Sequence, residues 1–292
     1  MKLFILVLLF AIAFTSIVDE INNANVGWTA QEYEQFAGKT KEELRSLLNT
    51  HLGPYDLPKK EFISYEALPT NFDPRDKWPS CIHAIRDQGN CGSCWAFGAA
   101  EALTDRFCIQ KNIDVILSTQ DLVSCDKNNY GCDGGYLDVA WAFMKATGVV
   151  TEECYPYTSG TSGQTGSCKR TCKDGSTGKK YHASNYYSVS GITNIMNELY
   201  TNGPTEGAFE VYEDFMNYKS GVYRHISGSY LGGHAIKVMG WGVESGKDYW
   251  LCANSWGTSW GISGYFKILK GVDECGIEDD IVAGMAGTVG FF

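Results

Sequence analysis

The spacing of apolar residues changes three times along the chain. Leu3 to Phe14 is an almost unbroken apolar run behind a single Lys at position 2. A basic start, a run shorter than the roughly 18–20 residues a membrane span needs, and the small residues Ala11, Ala13 and Ser16 form the layout of a secretory leader over 1–18. A membrane anchor is the competing reading, and the run is short for it. In KTKEELRSLL, Leu44, Leu47 and Leu48 share one helical face and charged residues the other, until Pro54 and Pro58 break the pattern. From 94 to 145 the period is helical. Trp95, Ala99, Ala102, Leu103 and Phe107 recur on one helix that Ser93 is placed to cap, and DVAWAFMKA repeats the pattern. Beyond about 180 the apolar residues sit in short runs, KVMGWG, DYWLCANSW and GYFKILK, separated by Gly, Ser and Asp, which read as strands. A helical first half and a sheet-rich second half predict an α+β chain of two lobes with a cleft between them.

Composition narrows the class. Hydrophobic residues at 44% and charged residues at 20% exclude a disordered chain. Lys+Arg number 24 against 34 Asp+Glu, so the net charge is −10 and a nucleic-acid partner has no electrostatic support. No N-x-S/T sequon is present, so N-glycosylation and a glycan-based sorting route find no support. The 11 cysteines are many for a reducing compartment, and with the leader they become disulfide candidates. Their odd number leaves a free thiol or a bond to another chain. Residues 19–67 hold no cysteine and many charges, which reads as a removable pro-segment or, alternatively, a structural N-terminal arm.

The densest chemical signal is Gln88-Gly-Asn-Cys-Gly-Ser-Cys94-Trp-Ala-Phe97. Cys91 and Cys94 form a C-x-x-C, which alone fits a redox pair or half a metal site as well as it fits a nucleophile. A thiol at the start of a helix gains thiolate character from the helix dipole, and it then needs a base-like His and a group that orients the His. Of five histidines (51, 83, 182, 225 and 234), His234 lies in GGHAIKVMG, where two glycines permit close backbone approach, and Asn254 lies in ANSWG. The order Cys, His, Asn at separations of 140 (234 − 94) and 160 (254 − 94) completes the set; about 130–150 is usual for such an arrangement, so the Asn is slightly far.

These motifs, with LPTNFDPRDKWPSC, CDGGYLDVAW, NGPTEGAFEVYEDFMNYKSGVY and CGIEDDIVAG, resemble the papain-like cysteine proteases, most closely the cathepsin B branch, over about 68–285. The resemblance implies a two-lobe fold: a helical lobe (about 68–160), a β-barrel-like lobe (about 161–292), and the active-site cleft between. It implies no metal and no cofactor. Cys94 would be the nucleophile, held with His234 as a thiolate–imidazolium pair. Asn254 would orient the His and Trp256 would shield their bond. Gln88 would supply the side-chain donor of the oxyanion hole, beside the backbone N–H of Cys94. Gly134 and Gly135 match the strip along which substrate backbone lies. Tyr136, Leu137, Ala208, Ala235 and Asp280 match the walls and floor of the main specificity pocket, and Gly233 and Trp256 are further substrate-binding positions. Asp280 stands where the cathepsin B branch has Glu, so hydrophobic residues are expected there and Arg is tolerated. The implied disulfides are Cys81–Cys108, Cys91–Cys132, Cys125–Cys168 and Cys154–Cys172, with Cys94 free and Cys252 and Cys275 open.

One departure stands out. The branch carries an occluding loop with its own disulfide and two adjacent histidines that capture a substrate's C-terminal carboxylate. The corresponding stretch, 157–167, has neither. The expectation is a zymogen (leader 1–18, inhibitory pro-segment 19–67, mature domain 68–292) acting mainly as an endopeptidase, with weak dipeptidyl carboxypeptidase activity. Expected partners are polypeptide substrates, the chain's own pro-segment and cystatin-type inhibitors. No membrane span is expected after leader removal, and the expected state is a monomer in an acidic lysosome-like vesicle or secreted.

Overall fold

The structure is a computed structural model that describes residues 16–63 and 67–291. The greater part of the expected leader, 1–15, lies outside the described residues. The helices are Ile17–Ala24 (α1), Lys41–Arg45 (α2), Pro74–Lys77 (α3), Cys94–Lys111 (α4), Thr119–Cys125 (α5), Leu137–Ala146 (α6), Ser159–Ser162 (α7) and Ile192–Asn202 (α8). The strands are Trp28–Ala30 (β1), Thr50–His51 (β2), Gly135–Tyr136 (β3), Lys180–Ala183 (β4), Tyr187–Ser188 (β5), Thr205–Tyr212 (β6), Tyr218–Tyr223 (β7), Tyr230–Glu244 (β8), Lys247–Ala253 (β9), Tyr265–Leu269 (β10), Ile281–Ala283 (β11) and Ala286–Gly290 (β12).

Helix α4 is the axis of the helical lobe. Every residue from Cys94 to Cys108 is buried, so the helix is covered on all sides rather than along one stripe, with Glu101, Asp105 and Arg106 buried among its apolar residues. Ala96, Ala99, Ala100 and Ala102 let α6 and the sheet approach its backbone closely. It stops at Asn112, whose left-handed φ of 56° lets its N–H return to the Cys108 carbonyl. Ser93 occupies the N-cap position, but its side chain makes no capping bond.

The second lobe is one eight-stranded sheet in the order β1-β7-β10-β9-β8-β6-β11-β5. The sheet is open, not a closed barrel: β1 and β5 form its two edges and do not pair with each other. Strand β8 is fifteen residues long and runs through the middle, antiparallel to β6 and β9. The aromatic core beneath it includes Trp28, Phe209, Phe215, Tyr218, Tyr223, Trp241, Trp250, Trp256, Trp260 and Phe266. The two cores do not divide the chain at one point. Tyr181 and Ala183 of β4 and Ala286 of β12 pack with Trp95 and Phe107 of the helical core.

The N-terminal segment is part of the folded body. Ile17 and Val18, inside the span expected of the leader, pack against the sheet core, and Ser16 caps α1 by accepting from Asp19 N. Strand β1 extends the sheet beyond β7. Helix α2 carries a complete capping box of Thr40 and Glu43 but ends at Arg45, before Leu47 and Leu48. Both leucines are still buried, now in the turn that follows α2 and leads into the cleft, with Leu47 N on Leu44 O and Leu48 N on Arg45 O.

Candidate active site

The start of α4 presents Cys94 to the cleft. Cys91 is bonded to Cys132, so the C-x-x-C is neither a redox pair nor a metal half-site, and Cys94 is a free thiol. The other bonds join Cys81 to Cys108, Cys125 to Cys168 and Cys154 to Cys172, and leave Cys252 and Cys275 as thiols. Gln88 is fully buried on the approach to α4. Its Oε1 accepts from Ser255 Oγ at 2.8 Å, which orients the carboxamide so that Nε2 faces the cleft side of Cys91.

The sheet supplies the facing groups. His234 lies on β8, and Asn254 follows the end of β9. His234 Nε2 donates to Asn254 Oδ1 at 2.7 Å, and the same oxygen accepts the Ser255 N–H at 2.8 Å. An oxygen taking two N–H donors assigns the imidazole proton to Nε2. Nδ1 has no partner among the described residues and would be the acceptor in a neutral ring. Trp256 stacks on His234, with centroids 4.7 Å apart and 29° between planes, and covers this hydrogen bond.

Residues 47–55 run between the two faces. Gly135 N donates to Asn49 O at 3.2 Å, and β2 pairs in parallel with β3, so His51 stacks on Tyr136. A Cβ on Gly134 would lie 2.0 Å from the Asn49 carbonyl, and one on Gly233 2.2 Å from that of Thr50, so chain can pass here only between glycines. Thr50 Oγ1 sits 3.0 Å from Cys94 Sγ. Gln88 Nε2 donates to Leu47 O at 3.0 Å. Leu52, Tyr55 and Leu57 pack in the apolar cluster that holds Leu137, Ala208 and Ala235, the last two facing each other across β6 and β8. Asp280 Oδ1 accepts from Gly53 N at 3.0 Å, beside a cavity of about 570 Å³ that Asp279 and Glu210 also line.

This packing sets the charge state. Cys94 and His234 are both fully buried. Burial raises the thiol pKa, against weaker opposing bonds from Ala235 N–H and Thr50, and lowers the imidazole to about 4. With the cleft filled, both shifts run against the expected thiolate–imidazolium pair, and the sulfur lies against Thr50 Oγ1. Asp280 is pushed up to about 6, first by burial and then by Asp279 and Asp273. Glu206, fully buried below the pocket, accepts from Trp141 Nε1 through Oε2, has no partner on Oε1 among the described residues, and is raised well above the carboxylate range by burial.

A helix-borne thiol facing a His–Asn pair across two packed lobes is the architecture of a cysteine peptidase. The papain family cysteine protease model matches residues 68–285, and the chain belongs to that family. It is 41% identical to the cathepsin B-like cysteine proteinase 3 of Caenorhabditis elegans over 92% of this chain and 82% of the relative. It is 40% identical to the cathepsin B-like protease 1 of Arabidopsis thaliana, over 94% and 84%. Its fold matches the solved proCathepsin B S9 from Trypanosoma congolense with a TM-score of 0.86 at 37% identity, covering 93% of this chain and 97% of that one. The chain is thus a cysteine-type peptidase of cathepsin B-like character.

Of the residues anticipated from the sequence, Gln88, Cys94, Gly134, Gly135, Tyr136, Gly233 and Asp280 meet residues 47–55 directly. Four others had no role assigned beforehand: Thr50 at the thiol, Tyr55 in the pocket, Ser255 between Gln88 and Asn254, and Glu206 beneath them. Ser255 stands inside the N-S-W-G motif, where its neighbours drew the attention. Thr50 and Tyr55 carry no local signal, because their place depends on a segment folding back over residues more than forty positions away.

Proposed function

We propose that the chain is the zymogen of an endopeptidase in which residues 19–67 block the cleft. The observation that carries this reading is that one segment meets both halves of the chemistry: Thr50 lies on the Cys94 sulfur while the Leu47 carbonyl takes the Gln88 donor. Removing the segment rehydrates the site, lets the Cys94 pKa fall and that of His234 rise, and so permits the ion pair. Cys94 then attacks a peptide carbonyl, a C–S bond forms, and the oxygen takes the carbonyl electron pair. Gln88 Nε2 and the Cys94 N–H hold that oxyanion, a contribution worth about 3–4 kcal/mol for one donor in comparable sites. His234 protonates the departing amine and next takes a proton from the water that hydrolyses the thioester. Asn254 keeps the imidazole oriented throughout.

Secretory entry follows from the leader, which we place before Ser16, because Ser16 to Val18 are needed by α1. The destination is an acidic vesicle or the outside of the cell. The stretch 157–167 has no cation to hold a free carboxylate, and within it α7 packs on Gly89. Cleavage inside chains is therefore favoured over removal of C-terminal dipeptides.

The test is activation of purified chain at mildly acidic pH, followed by hydrolysis of a peptide amide and titration with an epoxide inhibitor. Cys94→Ser should abolish both. Labelling of another cysteine, or efficient release of C-terminal dipeptides from a short peptide, would contradict the corresponding part of the reading.

A further inference from the structure

We propose that Tyr157 is a positioning residue for the oxyanion hole, acting through its hydroxyl on both donors at once. The inference rests on the role given above to Gln88. The Tyr157 hydroxyl donates to the main-chain carbonyl of Gln88 at 2.8 Å, and its oxygen lies 2.8 Å from Ser93 Oγ. A phenol has one proton, and the Gln88 carbonyl can only accept, so Ser93 must be the donor in the second bond. Ser93 is the residue immediately before the nucleophile. From the N-cap position its hydroxyl would ordinarily accept a backbone N–H of the first helical turn. Here it makes no such bond, and Ala96 N and Phe97 N go to the Ser93 carbonyl instead. The hydroxyl is diverted to Tyr157.

Tyr157 is itself held from three sides. Its ring meets Phe97 edge to face at 4.8 Å. Its N–H donates to Glu152 Oε1 at 2.7 Å, and Glu152 Oε2 takes Arg86 Nη2 at 2.6 Å. The following turn is fixed by Thr158 N and Ser159 N on Gln120 Oε1, and the Gly160 carbonyl accepts from Asn90 N at 2.8 Å. One oxygen on a rigid support therefore ties the backbone of Gln88 to the residue whose peptide bears the Cys94 N–H. The spacing of two preorganised donors governs how well they meet a developing oxyanion.

Tyr157→Phe keeps the ring and deletes the hydroxyl. Ser93→Ala removes the partner bond and serves if the first variant does not fold. Two probes separate positioning from general damage. A peptide aldehyde adds to the Cys94 sulfur and places its carbonyl oxygen, now bearing the electron pair, on the donors. Iodoacetamide alkylates the same sulfur with loss of iodide and forms no oxyanion. The expected result is about a tenfold weaker aldehyde and a similar fall in kcat with KM little changed. The alkylation rate and its pH profile should stay within about twofold. Unchanged aldehyde affinity in both variants, or equal losses with both reagents, overturns the proposal. Gln88→Ala distinguishes the levels. If it leaves aldehyde binding intact, the role of Gln88 itself fails; if it weakens binding while Tyr157→Phe and Ser93→Ala do not, only the positioning role fails.

Discussion

The two cores that meet at the cleft are built from opposite materials. The helical core is centred on alanines, and all four disulfides lie on its side of the chain, between residues 81 and 172, with Cys91–Cys132 inside the core itself. The sheet core holds no disulfide and is filled by large rings. Trp260, for example, touches Tyr33, Phe215, Tyr218, Trp256 and Phe266. A loop-rich region with little side-chain volume to bury gains stability by restricting its unfolded state. A long-stranded sheet gains it by removing apolar area from water. The proposed catalytic pair takes one member from each, Cys94 from the stapled side and His234 from the aromatic side.

The contrast predicts different failures. Trp260→Ala should cost about 3–5 kcal/mol, read as a lowered urea midpoint of the Cys94→Ser chain, because five rings lose a partner. A loss under 1 kcal/mol would mean that the sheet core is less close-packed than its contacts imply. Replacing both Cys91 and Cys132 by Ala should cost about 2–4 kcal/mol and leave Cys94 the alkylatable thiol nearest the cleft. Ala99→Leu should destabilise by about 1–3 kcal/mol through overpacking, where the same enlargement on an exposed face would be near neutral.

The smallest effect falls where the cores touch. Glu101 on α4 is raised to about 7, chiefly by burial, against the favourable charges of Lys237 on β8 and then Arg86; Asp105 raises it further and His83 lowers it. Lys237 is itself paired with Asp105 at 2.6 Å. A carboxyl with a raised folded pKa keeps a proton that the unfolded chain loses between about pH 4.5 and 7, so stability falls across that window. Glu101→Gln should flatten this fall in a Tm-against-pH series. An unchanged slope would assign the pH dependence elsewhere, with Asp280 as the next candidate because its shift has the same sign.

Much of the site was readable from the residues, and for a reason. Cys94, His234 and Asn254 lie in short motifs whose neighbours serve the same chemistry: glycines before the His, Trp256 after the Asn, Gln88 before the thiol. The amphipathic reading of 39–48 was only partly realised, since α2 stops at Arg45. Leu47 and Leu48 are buried in the turn beyond it, just before Asn49 and Thr50 pass between Gly134 and Gly233. The open sheet also differs from the barrel-like lobe expected. Closure depends on whether the two edge strands meet, and no property of β1 or β5 taken alone decides that.

By itself the sequence determined the reaction class, pointed to the proposed nucleophile and its partners, and showed the missing loop cations, because each depends on residue type at a local position. The tertiary structure decided the rest. It selected which cysteines pair, since bonding requires thiols brought within a few ångströms. It shifted the pKa of Cys94 up and that of His234 down, since desolvation is a property of what covers a group. And it seated Thr50 on the sulfur and Tyr157 behind the oxyanion donors, contacts across 44 and 69 or 64 residues that no spacing rule could reach.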